Sequence, residues 1–194
     1  SDWSSDVCPS DLRDKQKIEA VAAEIRGVKG VTLISVESDS DHNRSVLTFA
    51  GGPEAVLEAA RRVYVKAAAL IDLNNHKGEH PRMGAVDVCP FIPVRNASME
   101  DCVELANRLG RRVGSELGIP VYLYESAAKR PERKNLADVR KGEFEGLRDE
   151  IGKSESRVPD YGPNKIHATA GATAIGARFF LVAYNVNLAT SDVK

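Results

Sequence analysis

The sequence predicts a single α/β domain: a mixed β-sheet with a βαββαβ, ferredoxin-like core and its helices on one face. Three observations carry this. Helix signals stand at three stretches, an apolar period from Ile18 to Ile25, Pro53 ahead of one helix and Ser98 with Asp101 ahead of another; strand-like apolar runs lie between them, and two of those runs, 31–36 and 45–50, follow each other with no helix between. Adjacent strands break the strict alternation that a doubly wound sheet requires and imply a split βαβ unit. At 194 residues the chain has the length of one domain, or of one with a small appendage, and can bury a core without staples.

The elements follow in order. The first dozen residues, with the only Trp, show no period and read as neither strand nor helix; 1–13 is expected to be non-native or disordered. Asp14 can cap a helix in which Ile18, Val21, Ala22 and Ile25 recur three and four apart, and Gly27 and Gly30 end it. Strands follow at Val31–Val36 and Ser45–Ala50, separated by the polar stretch Glu37–Arg44. Pro53 suits the first turn of a helix running to about Ile71. Val86–Val94 is apolar but carries Pro90 and Pro93, which assigns it to a sheet edge or an interface. Ser98, with Asp101 three residues on, opens a helix to about Leu117, which Gly118 and Pro120 stop. Val121–Tyr124 is a short strand, 125–165 is charged with short helices near Leu136–Arg140 and Glu143–Ile151, and 178–187 reads as a strand inside the sheet. If the first residues stand where a first strand belongs, the order closes as βαββαβ.

Composition narrows the function. The net charge is −1, without the basic footprint of nucleic-acid binding. No run approaches the roughly 18 apolar residues of a membrane span. Three cysteines, Cys8, Cys89 and Cys102, neither pair fully nor recur at metal-ligand spacing, which points to a reduced, cytoplasmic compartment.

Chemistry-bearing side chains concentrate in three loop segments: 41–44, 76–84 and 159–176. His76 and His80 are four apart, but Gly78 and Pro81 work against the helix that would aim both imidazoles at one metal, so no metal site is expected. Cys89 reads as a buried thiol, and Gly171–Gly176 has the outer spacing of a phosphate loop without its lysine. Acid–base chemistry remains: His42, His76, His80 and His167 all fall in these loops, and Arg44 and Arg82 suit a carboxylate clamp or a solvated loop charge equally well. Together these features describe a His- and Arg-rich site for a small anionic ligand.

The run Ile71-Asp-Leu-Asn-Asn-His-Lys-Gly-Glu-His-Pro-Arg-Met-Gly-Ala-Val-Asp-Val-Cys-Pro-Phe-Ile-Pro-Val94 closely resembles the N-terminal subdomain of glutamate formimidoyltransferase. So do Asn43-Arg44, Pro120–Tyr124, Leu136–Glu143, Pro159-Asp-Tyr-Gly-Pro163, Ala170-Gly-Ala172 and Asn185-Val-Asn187, so the likeness spans about 14–188. It implies transfer of a formimino group from N-formimino-L-glutamate to N5 of tetrahydrofolate, as in histidine degradation and one-carbon metabolism. It implies His80 as the catalytic residue and a folate loop of Gly162, Pro163, Asn164, Lys165, Ile166, His167, Ala168, Thr169, Ala170 and Gly171. It also implies a homodimer and a missing second subdomain after 189–194, with Arg44 and Arg82 suited to the substrate carboxylates. The family's Asn-Phe-Ser-Glu-Gly turn has no counterpart here, where Cys8–Leu12 precedes Arg13. A non-catalytic folate-binding or protein-interaction module, or an inactive fragment, is the alternative.

Overall fold

A computed structural model describes residues 2–9, 15–39, 43–75 and 81–181. Six strands, β1 (Asp2–Pro9), β2 (Val31–Asp39), β3 (Arg44–Gly51), β4 (Val86–Arg95), β5 (Val121–Glu125) and β6 (Thr173–Ala177), form one mixed sheet in the order β2-β3-β1-β4-β6-β5. The first four pair antiparallel as the ferredoxin-like core, and β4, β6 and β5 run parallel.

Three long helices, α1 (Lys15–Arg26), α2 (Pro53–Leu70) and α3 (Met99–Leu117), pack on one face. Each forms where its apolar stripe and end signals agree. Helix α1 buries Ile18, Val21, Ala22 and Ile25, and α2 starts at Pro53 and buries Ala59, Ala60, Val63, Tyr64 and Ala67. In α3 the Ser98 side chain accepts the Asp101 N–H while the Asp101 carboxylate accepts the Ser98 N–H, a reciprocal cap, and Gly118 ends the helix at φ 64°. The core between these helices and the sheet includes Leu47, Phe49, Phe91, Leu123 and Ile175, all fully buried, and the Tyr64 hydroxyl meets Thr173 Oγ1 at 2.7 Å inside it. Two short helices, α4 (Leu136–Val139) and α5 (Glu143–Glu150), add a second layer behind the parallel half. There Val139, Leu147 and Ile151 pack on Val88, Tyr122, Tyr124, Ala172 and Ala174.

Three readings of the sequence are corrected. Residues 2–9 form β1, paired on both sides, with Trp3 and Val7 in the core; the strand is specified by partners rather than by its own pattern. Val86–Arg95 is a central strand, not an edge; the edges are β2 and β5. Pro90 is tolerated because the β1 ladder lapses between Ser5↔Phe91 and Cys8↔Val88, opposite the N–H that it lacks. The last described strand is Thr173–Ala177, whereas 178–181 are not strand; 182–187 lie outside the described residues.

Candidate functional site

Strand register gathers the three polar segments at one end of the sheet. Asp39 pairs with Arg44, Pro9 with Val86, Val88 with Ala174 and Val121 with Thr173, so the connections at 40–43, 71–85 and 159–172 all leave from that end. Two strand spacings separate β3 from β4, which puts the Arg44 backbone about 10 Å from that of Val86.

Residues 168–172 form the centre of this end. Leu73 N–H donates to Thr169 O (2.9 Å) and the Asn74 side-chain amide to Ala168 O (2.9 Å). From the other side Ala85 N–H donates to Ala170 O (2.9 Å), and Ala172 N–H to Met83 O (2.9 Å). The segment is therefore threaded between two stems, 72–75 and 81–85, which five residues of chain, His76 and His80 among them, connect. Asp72 stiffens the first stem by accepting from Asn74 N–H and from the side-chain amides of Asn74 and Asn75. The threading needs Gly171: it sits at φ 69°, and a Cβ there would come within 2.3 Å of Met83 O.

His167 closes a tight turn with Gly171, their backbones exchanging N–H···O bonds of 3.2 and 3.1 Å. Its Nδ1 accepts from Thr169 N–H (3.3 Å) and Ala170 N–H (3.0 Å). An acceptor at Nδ1 makes the imidazole neutral with its proton on Nε2, and partial burial pushes its pKa down, which favours the same form.

The start of the loop is fixed separately. Arg133 and Asp160, both buried, pair at 2.7 Å; the Asp160 carboxylate also accepts Leu123 N–H (2.8 Å), and Arg133 donates to the Ser156 and Val158 carbonyls. The Tyr161 hydroxyl donates to Asn107 Oδ1 (2.6 Å) and accepts from the Lys129 ammonium (2.9 Å). Tyr161 and Gly162 lie across α3 where it carries Gly110 and Gly114; a Cβ on Gly114 would reach within 2.5 Å of Gly162 N. Gly162, Pro163, Asn164 and Lys165 are exposed beyond that anchor, beside a cavity of about 500 Å³ lined by Arg111, Ser115 and Tyr161.

The two arginines differ. Arg82 is nearly buried and engaged within the fold: its Nη1 and Nη2 fork onto the Glu145 carboxylate (3.0 and 2.8 Å), and Nη1 also reaches Glu143 (3.1 Å). Arg44, at the start of β3, borders a separate cavity of about 270 Å³ with Glu37, Ser38 and Val46. Among the described residues, no group of three His, Cys, Asp or Glu side chains could hold a metal ion, and no helix is long and apolar enough to cross a membrane.

Residues 5–178 match the family model described as the formiminotransferase domain, N-terminal subdomain. The chain belongs to that family. It is 48% identical over 184 residues to a glutamate formimidoyltransferase of Streptococcus pyogenes serotype M1 and 48% over 187 to one of Thermoplasma acidophilum, covering 95% of this chain in each case. It is 50% identical over 175 residues to a formimidoyltransferase-cyclodeaminase of Gallus gallus, covering 90% of this chain. The formiminotransferase subdomain spans 61% of the length of the first two relatives and 32% of the third.

Of the site residues expected for a formiminotransferase, 162–171, Arg44 and Arg82 lie at one end of the sheet, with Arg44 two strands away from the stem 81–85. His80, like His42 and His76, lies outside the described residues. Sequence reasoning gave no role to Asp87, Arg133, Arg140, Glu143, Glu145 or Asp160, although Asp87, Arg140, Glu143 and Asp160 lie in segments it quoted, Asp87 as the one carboxylate in the apolar run 85–94.

Proposed function

We propose that the chain is the N-terminal part of a glutamate formimidoyltransferase, moving a formimino group from N-formimino-L-glutamate to N5 of tetrahydrofolate. The observation that carries this reading is the threading of 168–172 between the two stems of the segment that contains His80. It joins the end of the proposed folate loop, 162–171, by hydrogen bonds to the stems on either side of 76–80. In the reaction N5 attacks the amidine carbon, and His80 takes the N5 proton. The tetrahedral intermediate then releases the glutamate amine as His80 protonates it, and one imidazole serves both steps. Such a group contributes typically about 10²–10⁴ in rate. Arg44 is the proposed partner for a substrate carboxylate, since Arg82 already holds two glutamates of the chain.

Tetrahydrofolate titration together with a formimino-transfer assay tests the reading, on this chain and on the chain joined to the C-terminal part of the Streptococcus pyogenes relative. The joined protein is expected to turn over, and His80→Ala to abolish most transfer while leaving folate affinity nearly unchanged. Binding without turnover in the joined protein supports the folate-binding module instead.

A homodimer and a cytoplasmic location complete the proposal. Light scattering that gives about 21 kDa at micromolar concentration overturns the dimer.

A further inference from the structure

Residues 167–171 spend nearly all of their backbone hydrogen bonds on the frame. Every carbonyl accepts: His167 O from Gly171 N–H, Ala168 O from the Asn74 side-chain amide, Thr169 O from Leu73 N–H, Ala170 O from Ala85 N–H, and Gly171 O from His167 N–H. The Thr169 and Ala170 N–H groups both end on one side-chain atom, His167 Nδ1. A neutral imidazole can accept there, whereas in an imidazolium both nitrogens donate. Two donors are left without a partner among the described residues: the N–H of exposed Ala168, and the His167 Nε2–H, which the half-buried ring does not enclose. Apart from the Thr169 hydroxyl, the turn therefore meets a ligand with donors. The charged groups on the two stems packed against it are Asp72, Arg82 and Asp87, and exposed Lys165 lies two residues before His167. Asp72 is engaged by Asn74 and Asn75, Arg82 by Glu143 and Glu145, and Asp87 by Met83 N–H and Arg140. Burial alone, and none of these charges, lowers the His167 pKa.

We propose that His167 shapes this turn through Nδ1 and meets the ligand through Nε2–H, which with Ala168 N–H donates to an oxygen acceptor, a carbonyl or a carboxylate, so that the ligand is held only while the imidazole is neutral. Protonation would make Nε2–H a stronger donor, but it drives two backbone N–H groups off Nδ1 and undoes the turn that aims it. The inference rests on the folate reading, which makes 162–171 the ligand loop. The state of the imidazole and of its turn can be read without any ligand. By linkage, a ligand that needs the neutral form lowers the His167 pKa by the same free energy with which acid weakens its binding.

The test uses the 194-residue chain labelled with ¹⁵N, its His167 ring signals assigned by their loss in His167→Asn. At about pH 7.5 the ring is expected as the Nε2–H tautomer, read from its long-range ¹H–¹⁵N couplings. Anaerobic calorimetry then follows tetrahydrofolate, methyltetrahydropterin and p-aminobenzoyl-glutamate, with the joined protein in place of the chain if the chain alone binds none of them. Tetrahydrofolate affinity should fall about threefold or more between about pH 7.5 and 5, and saturating tetrahydrofolate should lower the His167 pKa. Whichever half of the molecule shows the same fall carries the acceptor, the pterin carbonyl in one case and the amide or carboxylates of the tail in the other. His167→Asn keeps an acceptor near the place of Nδ1 but has no Nε2–H and no proton to gain. It should keep the Thr169 and Ala170 amides protected, bind about three- to tenfold more weakly at the higher pH, and lose the pH step. His167→Gln, which keeps a donor near the place of Nε2 and no acceptor at Nδ1, should lose that protection. An Nδ1–H tautomer at the higher pH overturns the inference, as does a pH step that survives His167→Asn, or His167→Asn binding as tightly as the wild type. If the tautomer and the turn behave as expected but neither protein binds any of the three probes, the positioning of the turn stands and the folate reading falls, and the ligand contact with it.

Discussion

In the antiparallel half of the sheet the strands alternate. Leu47 and Phe49 turn toward the long helices and are fully buried, while Ile34 and Val36 on the other face are 60% and 37% exposed. In the parallel half both faces are covered, so every residue of β6 is buried and β5 is buried from Val121 to Tyr124. The difference shows where a site can be held rigidly. The parallel half has α3 on one side and α4 with α5 on the other, and both layers send polar groups to the loops and to the start of β4: Asn107 to Tyr161, Glu145 to Arg82, and Arg140 to Asp87. The antiparallel half has helices to lend from one side only.

The largest effect expected from breaking this contrast is at Asp160. Asp160→Ala leaves Arg133 buried without its carboxylate and should cost about 3–5 kcal/mol in urea unfolding. An Arg133→Met/Asp160→Leu double variant should recover much of that loss. Next comes Leu147→Ala, which opens the second layer; about 2–4 kcal/mol is expected, with faster amide exchange in β5 and β6 and little change in β2 and β3. Gly114→Ala should cost about 1–3 kcal/mol by pushing Gly162 off α3, and calorimetry should show weaker tetrahydrofolate binding than an exposed control such as Lys153→Ala.

A smaller effect comes from pH. The His167 pKa is lowered in the fold, so the unfolded chain binds more protons on acidification. Its contribution is fully present above the unfolded value near 6.5 and is lost as pH falls through the lower folded value. The protection factors of the Thr169 and Ala170 amides, that is, exchange relative to the unfolded chain at the same pH, should therefore fall between pH 7.5 and 5, and His167→Ala should remove that pH step. Smallest of all, Ile34→Ser on the open face should change stability by no more than about 0.5 kcal/mol; a larger loss would mean that this face is covered in solution.

How much of this was legible depended on where each signal was written. Helices α2 and α3 carry theirs locally, in Pro53, in Ser98 with Asp101, and in Gly118, and α1 buries the four residues of its apolar period. Strand β1 was illegible because Ser4, Ser5 and Asp6 are strand residues only by virtue of β3 and β4 beside them. Strand β6, Thr-Ala-Ile-Gly-Ala, reads as a small-residue loop. Its small residues make room for the second layer: a Cβ on Gly176 would lie 2.5 Å from the Tyr124 ring. The histidine- and arginine-bearing segments stood out by composition. Their supports did not, because Asp87 and Arg140, or Arg133 and Asp160, meet only through the fold and leave no period in the chain.

The place of β1 has a consequence for biosynthesis. Ser5 pairs with Phe91 and Trp3 with Pro93, so β1, made before the other five described strands, waits for β4, which at about 5–20 residues per second follows several seconds later. During that interval β2 and β3 can close as a hairpin and take up β1, but the side of β1 that β4 will occupy is an open edge, able to pair with another nascent chain. Trp3, the only tryptophan, is 5% exposed once β1 is docked, so its fluorescence offers a clock for the moment the sheet closes.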